Sequence, residues 1–227
     1  MLGAVGEAQV QQAVRLAAQS LAQLEAAWVL EVSHMGYLFG LFDALGVPEN
    51  ARPGLLEKLR EKNAHELRRA AQAAGLDAAG ADALTGLLEL SGSCEETLAK
   101  AESACRNDRM RAAAAELRAL AKTLEASGGA VRLDLSLAGE MEYYNGLVFQ
   151  GYLQGLPRPL LKGGRYDLLM QKFTPGAGAI GFAVYLDELD RLSAPTPPVQ
   201  RNSTGRVMLN VALPKGRLGD KMYDLLA

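Results

Sequence analysis

The stretch AVRLDLSLAGEMEYYNGLVFQGYL, residues 130–153, carries the reading of the fold. Val131, Leu133, Leu135 and Leu137 alternate with Arg132, Asp134 and Ser136, a period of two that predicts a strand carrying an inward Asp134. LVFQGYL (147–153) is aromatic and β-branched and predicts a second strand. Between them Asn145-Gly146 reads as a hairpin-type turn, because these residues tolerate the positive φ such turns need. Tyr143 and Tyr144 stand just before that turn. Paired tyrosines can wall a small pocket and offer hydroxyls to a polar ligand. On pattern alone the better reading is that both are core or rim tyrosines.

Downstream, GGRYDLLMQKF (163–173) reads as a glycine-rich turn entering a helix. Gly163 and Gly164 allow close backbone approach, and Arg165 suits a carboxylate or phosphate. A plain turn with an Arg–Asp pair is the other reading. GAGAIGFAVYL (176–186) is a small-residue run that predicts a close-packed central strand, and LDELDRL (186–192) predicts a helix. Strands joined by short turns, with helices alongside, predict a mainly antiparallel sheet and an α+β fold.

Upstream, residues 7–27 place Val10, Val14, Leu16, Leu21 and Leu24 near helical spacing. WVLEVS (28–33) alternates as a strand, and MGYLFGLFDALGV predicts a helix ended by Gly46 and Pro48. From about 50 to 129 the texture becomes a series of amphipathic helices punctuated by Gly75, Gly80, Gly92 and Gly128-Gly129. This block predicts helices and no strands. Its Arg and Lys residues are interleaved with Glu, the pattern of solvated helix faces rather than a nucleic-acid surface.

Composition narrows the function classes. Lys and Arg total 24 against 26 Asp and Glu, so there is no basic excess to bind nucleic-acid phosphates. A hydrophobic fraction of 49% supports a packed core and excludes disorder throughout. No apolar run reaches membrane-spanning length, and the first residues do not read as a signal peptide. Cys94 and Cys105 lack metal-site or disulfide spacing and read as reduced, half-buried thiols of a cytoplasmic protein. No metal site is expected.

SAPTPPVQRNST (193–204) is rich in Pro, Ser and Thr and reads as a linker, with a new element beginning near residue 206. Residues 206–227 then offer one apolar strand, a basic turn and one amphipathic helix, too little to bury their own apolar faces. In that turn Lys215 and Arg217 flank Gly216 at a predicted helix N-terminus, a setting suited to polyphosphate.

YYNGLVFQGY, GGRYDLLMQKF and GAGAIGFAVYLDEL, in this order and spacing, resemble the catalytic core of the class II histidyl-tRNA synthetase family. The resemblance covers roughly residues 1–192. It implies a partial class II synthetase-like sheet with a helical insertion at about 50–129. It also implies a histidine pocket lined by Tyr143 and Tyr144 and floored by Gly163, Gly164 and Arg165. Two positions depart from the family. Gly139 stands where an arginine precedes the tyrosines, and Glu188 stands where an arginine contacts ATP. A carboxylate there repels phosphates. Asn145 and Gln150 replace Thr and Glu.

Retained tyrosines with lost cations resemble the synthetase-like regulatory-subunit family of ATP phosphoribosyltransferase, a glycosyltransferase at the first step of histidine biosynthesis. RVMLNVALPKGRLGDKMYDLLA resembles the start of that enzyme's short-form catalytic subunit. The resemblance implies three segments: a regulatory domain over 1–192 truncated at its N-terminus, a linker over 193–205, and over 206–227 the βα opening of a catalytic domain. L-Histidine is the implied effector and the catalytic subunit the implied partner in a hetero-oligomer, with no catalysis by this chain alone. No cofactor is expected on this chain. Mg2+ is expected for the complete transferase, where Lys215, Gly216 and Arg217 would bind phosphate. A fragment of a histidyl-tRNA synthetase, and a non-catalytic interaction module with a vestigial pocket, stand as the alternatives.

Overall fold

Residues 1–124, 130–138 and 144–193 are described by the computed structural model. The chain divides into two units, Met1–Leu192 and Ser193–Ala227. Apart from Ser193, the expected linker and βα segment lie outside the described residues, as do Gly139, Tyr143, Lys215, Gly216 and Arg217.

The first unit opens with a two-residue strand β1 (Leu2–Gly3) and helix α1 (Glu7–Ala22). The Gln9 side chain accepts the Gly6 N–H at 3.0 Å and satisfies one of the donors left open at the start of α1. Val10, Val14, Ala17, Ala18 and Leu21 form its buried stripe. Strand β2 (Trp28–His34) runs straight into helix α2 (Met35–Ala44). His34 caps that helix, its Nδ1 accepting the Gly36 N–H at 3.0 Å.

The helical block follows with α3 (Arg52–Arg60), α4 (Ala64–Ala73) and α5 (Ala78–Thr85). Asn63 and Asp77 cap α4 and α5 through their side-chain oxygens, at 3.1 and 2.7 Å. The expectation of no strand in this block is corrected by β3 (Ser91–Ser93), which pairs antiparallel with a later strand. Its three small polar residues carry no alternation from which a strand could be read. Helices α6 (Cys94–Ser103) and α7 (Asp108–Leu124) complete the block. Cys94 and Cys105 are half-buried, their thiols donating to the Val131 and Ala101 carbonyls at 3.6 and 3.3 Å.

The last part contains β4 (Ala130–Asp134), β5 (Leu147–Leu153), β6 (Leu161–Arg165), α8 (Asp167–Gln171), β7 (Gly178–Val184) and α9 (Leu186–Ser193). The described strands form one sheet in the order β1-β7-β6-β5-β2-β4-β3. Every neighbouring pair is antiparallel except β2 and β4, which run parallel.

Three local expectations change. Asn145-Gly146 is not a hairpin turn, because β2 lies between β4 and β5. Gly163-Gly164-Arg165 is not a turn but the end of β6, with Gly163 and Gly164 paired on both sides and Arg165 paired with β7. The small-residue run 178–184 lies one place from the edge, with only the short β1 beyond it.

Side chains alternate across this sheet. Leu30, Val32 and His34 share one face with Leu147, Phe149 and Gly151, their partners in register. Helices cover that face: Leu21 of α1 packs over Gly151, and Glu116 of α7 reaches His34. The core fills the space between, with Leu21, Leu30, Phe42 and Phe149 among its fully buried members. The opposite face carries Val29, Glu31 and Ser33 of β2 beside Val148, Gln150 and Tyr152 of β5. Among the described residues no helix is long and apolar enough to cross a membrane.

Candidate functional site

The open face of the sheet holds the strongest candidate. Val148 faces Gly164 and Gln150 faces Lys162 across the β5–β6 pair. Tyr144 enters just before β5, and its ring packs closely against the strip that Gly164 leaves bare. A Cβ at Gly164 would stand 2.6 Å from Tyr144 Cε1, so only glycine lets the ring approach. The Tyr166 ring meets Tyr144 edge-on, with centroids 6.4 Å apart. Farther along the face, the Tyr152 hydroxyl donates to Gln150 Oε1 at 2.9 Å.

Glu31 shares this face with Gln150, Arg132 and Asp134. Burial, reinforced by the Asp134 charge, raises its carboxyl above the usual range, against the opposing pull of Lys62 and Arg132. Asp134 is buried, as its inward reading requires. It accepts from Lys62 Nζ at 2.5 Å and from Ser136 N and Oγ at 3.0 and 2.5 Å. Its role is therefore to tie the loop after α3 to the sheet.

The expected pocket floor divides between the two faces. Gly163 and Arg165 lie on the helix-covered face, opposite Tyr144. A Cβ at Gly163 would meet Phe149 and Phe182, not a tyrosine. Arg165 Nε donates to Asp167 Oδ2 at 2.7 Å and its Nη2 to the Val5 carbonyl at 3.1 Å. Asp167 in turn accepts the Ala179 N–H at 2.9 Å, and Asn145 Oδ1 accepts the Asp167 N–H at 3.0 Å. Arg165 is thus a brace between β6, the N-terminal segment and the start of α8, which Asp167 ties to β7. Of the five expected histidine-pocket residues, the structure brings together Tyr144 and Gly164.

Sequence reading missed His34 and Glu116. His34 Nδ1 accepts a backbone N–H, so its proton sits on Nε2 and is donated to Glu116 Oε2 at 3.0 Å. That hydrogen bond holds the Glu116 carboxyl below its ordinary pKa, against the opposing effect of burial. Glu116 and Arg165 line a cavity of about 130 Å³ with Glu7, Gln11 and Leu147, beneath the sheet from Tyr144. The pair is separated by 82 residues, and no local spacing announces it.

Glu188 is 4% exposed, with Arg191 Nη1 3.3 Å from Oε2 and Arg158 Nη1 3.8 Å from Oε1. The Glu188 carboxylate is therefore flanked by two cations that offset its charge. Among the described residues no three His, Cys, Asp or Glu side chains converge as metal ligands.

Known proteins share the sequence pattern and the fold. The histidyl-tRNA synthetase family model matches residues 1–189. The chain is 41% identical over 162 residues to an ATP phosphoribosyltransferase regulatory subunit from Shouchella clausii, covering 70% of this chain and 40% of that one. A solved structure from Bacillus halodurans, an ATP phosphoribosyltransferase regulatory subunit/histidyl-tRNA synthetase, superposes with a TM-score of 0.75 at 30% identity. It covers 85% of this chain and 52% of the other. The ATP phosphoribosyl transferase (HisG:HisZ) complex from Thermotoga maritima contains a chain of the same fold, with a TM-score of 0.63 at 18% identity, covering 81% of this chain and 62% of that one. The chain spans 40–49% of the length of its curated relatives from Shouchella clausii and Desulfitobacterium hafniense. Its fold is the α+β class II tRNA synthetase type, and the chain belongs to the histidyl-tRNA synthetase family.

Proposed function

We propose that this chain acts as part of a regulatory subunit of ATP phosphoribosyltransferase in the cytoplasm. It senses L-histidine and supports a separate catalytic subunit in a hetero-oligomer, without catalysing glycosyl transfer itself. The observation that carries this reading is the 41% identity over 162 residues to a protein of that name. The open face supports it with an aromatic wall, Tyr144, on a floor that Gly164 keeps bare.

In this reading Tyr144 and Gly164 form the described side of the histidine site, and Tyr143 belongs to the same wall. Gly163 and Arg165 act indirectly, by fixing strand β6 and the N-terminal segment against each other. Residues 206–227 open a catalytic domain in which Lys215, Gly216 and Arg217 contact phosphate. Mg2+ serves that complete domain, and this chain binds no cofactor.

The test pairs the full chain with a short-form catalytic subunit. Co-purification, and phosphoribosyl transfer that L-histidine inhibits, are expected. Tyr144→Phe removes one hydroxyl while keeping ring volume. A hydrogen bond of about 1 kcal/mol lost from the site weakens histidine binding several-fold. Absence of any complex, or ATP–pyrophosphate exchange by the chain alone, would overturn the proposal in favour of a synthetase.

A further inference from the structure

The helical block holds an open cavity of about 380 Å³. Small-molecule sites span about 300–1,000 Å³, so this one suits a modest ligand. Its floor is apolar, made by Tyr37 and Leu41 of α2, Leu87, and Met110 of α7, each at most 3% exposed. Half-buried Leu90 and Gly86, the residue after α5, form one side. The space in front of Gly86 is unobstructed, since a Cβ added there would meet no atom within 4 Å.

Most polar side chains of the lining already have partners. The Tyr37 hydroxyl and the Cys105 thiol donate to the Ala101 carbonyl at 2.8 and 3.3 Å. The Ser103 hydroxyl donates to the Lys100 carbonyl at 2.8 Å. The exposed Arg106 differs. Its backbone N–H reaches the Met110 sulfur at 3.5 Å, and its guanidinium has no partner among the described residues. The neighbouring cations are matched: Arg109 by Asp43, Arg111 by Asp108, and Arg118 by both oxygens of Glu102. Arg106 also stands just before the 17-residue helix α7, whose open N–H groups add positive potential. An unmatched guanidinium beside a positive helix end, at the rim of an apolar hollow, complements one negative charge on an apolar body.

We propose that this cavity binds a medium-chain fatty carboxylate. Its carboxylate takes the Arg106 guanidinium, whose planar fork suits that group, and its chain lies over Leu87, Leu90 and Met110. An inorganic anion would meet Arg106 but leave the apolar floor uncovered. A neutral hydrocarbon would cover the floor but leave Arg106 unmatched. A dicarboxylate would bring its second charge against an apolar floor with no cation to receive it. The Asn107 amide donates to the Gly40 carbonyl at 2.7 Å and fixes the start of α7 to α2, so the cavity is formed before a ligand arrives. The inference rests on the helical block alone and not on the function proposed above.

The experiment titrates octanoate, below its micellar concentration, into the 227-residue chain by calorimetry, with butanoate, hexanoate, 1-octanol and inorganic phosphate alongside. Octanoate is expected to bind saturably, each methylene from butanoate upward tightening binding about two- to fourfold, and phosphate is expected not to bind. Arg106→Gln, at an exposed position, should weaken octanoate at least fivefold and leave 1-octanol unchanged. Gly86→Leu fills the cavity from a backbone φ of -58°, which any residue adopts, and should abolish binding of both at an undiminished melting temperature. No octanoate binding would overturn the proposal. So would binding that survives Gly86→Leu, or an octanoate affinity that Arg106→Gln leaves unchanged. Self-association of the native chain that Gly86→Leu abolishes would overturn it too, and would assign the groove to a second copy. If Gly86→Leu does not fold, the response of octanoate and 1-octanol to Arg106→Gln decides alone.

Discussion

Replacing Gly164 by alanine tests the open face directly. The new Cβ would lie 2.6 Å from Tyr144 Cε1 and 2.8 Å from the Leu147 carbonyl oxygen. Carbon atoms rest at about 3.5–4.0 Å, so the ring must retreat by roughly 1 Å. The carbonyl is backbone within the β5–β6 region and cannot swing aside, so the strands must also part. Overpacking of this kind costs about 1–3 kcal/mol. In a domain of this size each kcal/mol lowers the melting temperature by about 2–4 °C. Gly163→Ala is the matched control. Its Cβ would meet Phe149 Cζ at 2.5 Å and Phe182 Cβ at 2.6 Å, on the other face. Both variants should lose comparable stability by calorimetry or urea titration. Only Gly164→Ala should displace the Tyr144 ring resonances in NMR and weaken histidine binding. A Gly164→Ala protein with native stability and unmoved Tyr144 signals would refute the close approach of the ring to Gly164. Equal effects of both variants on histidine binding would refute the division of the two glycines between faces.

Acid stability should report the His34–Glu116 bond. A carboxyl whose folded pKa is depressed contributes stability that is present above its unfolded value, near 4.5, and lost as pH falls through the lowered folded value. Glu116 is half exposed, so solvent screening keeps the contribution below about 1 kcal/mol. Urea midpoints should therefore fall more steeply below pH 4.5 in the native chain than in Glu116→Gln, and parallel curves would exclude the bond. Tyr37→Phe removes the hydroxyl that donates to the Ala101 carbonyl at 2.8 Å and leaves that carbonyl with the weaker Cys105 thiol donor, 3.3 Å away. A loss of about 0.5–1.5 kcal/mol is expected on urea unfolding, and an unchanged midpoint would show that the bond contributes nothing.

Much of the sheet was legible because its strands alternate strongly. Strand β2 and strand β5 were read within a residue or two, and α1 was read from its apolar stripe although it ends at Ala22 rather than near 27. Strand β6 was misread because glycine normally weakens a strand. Here Gly163 and Gly164 are needed inside one, since Phe149 and Tyr144 occupy the space that side chains would take. The Asn145-Gly146 turn misled for a different reason. Local chemistry suggests a hairpin, but β2 is inserted between the two strands from more than a hundred residues earlier in the chain, and short-range signals carry no trace of that.

The candidate site was half legible. The motif drew attention to Tyr144, Gly164 and Arg165 together, but the alternation of a strand sends Gly164 and Arg165 to opposite faces. That rule applies only once the segment is known to be a strand and not a turn. The burial of Glu188 beside Arg158, thirty residues away in the chain, is visible only in three dimensions.

The parallel pairing of β2 with β4 sets a timetable for synthesis. Both strands that flank β2 lie roughly a hundred residues or more downstream of it, beyond the whole helical block. At about 5–20 residues per second, a ribosome takes roughly 5–20 s to deliver the first of them. Closing so long a loop is not itself prohibitive, since its entropy rises by only about 0.6 kcal/mol per doubling of length. Exposure is the greater burden. Throughout that interval both edges of β2 lack their native partners, and Leu30 and Val32 have only α1 and α2 available as cover among their eventual neighbours earlier in the chain. The nascent chain is then a natural client for a holding chaperone, and the helices of the inserted block, built from local contacts, are placed to form first and bring β4 back to the waiting strand.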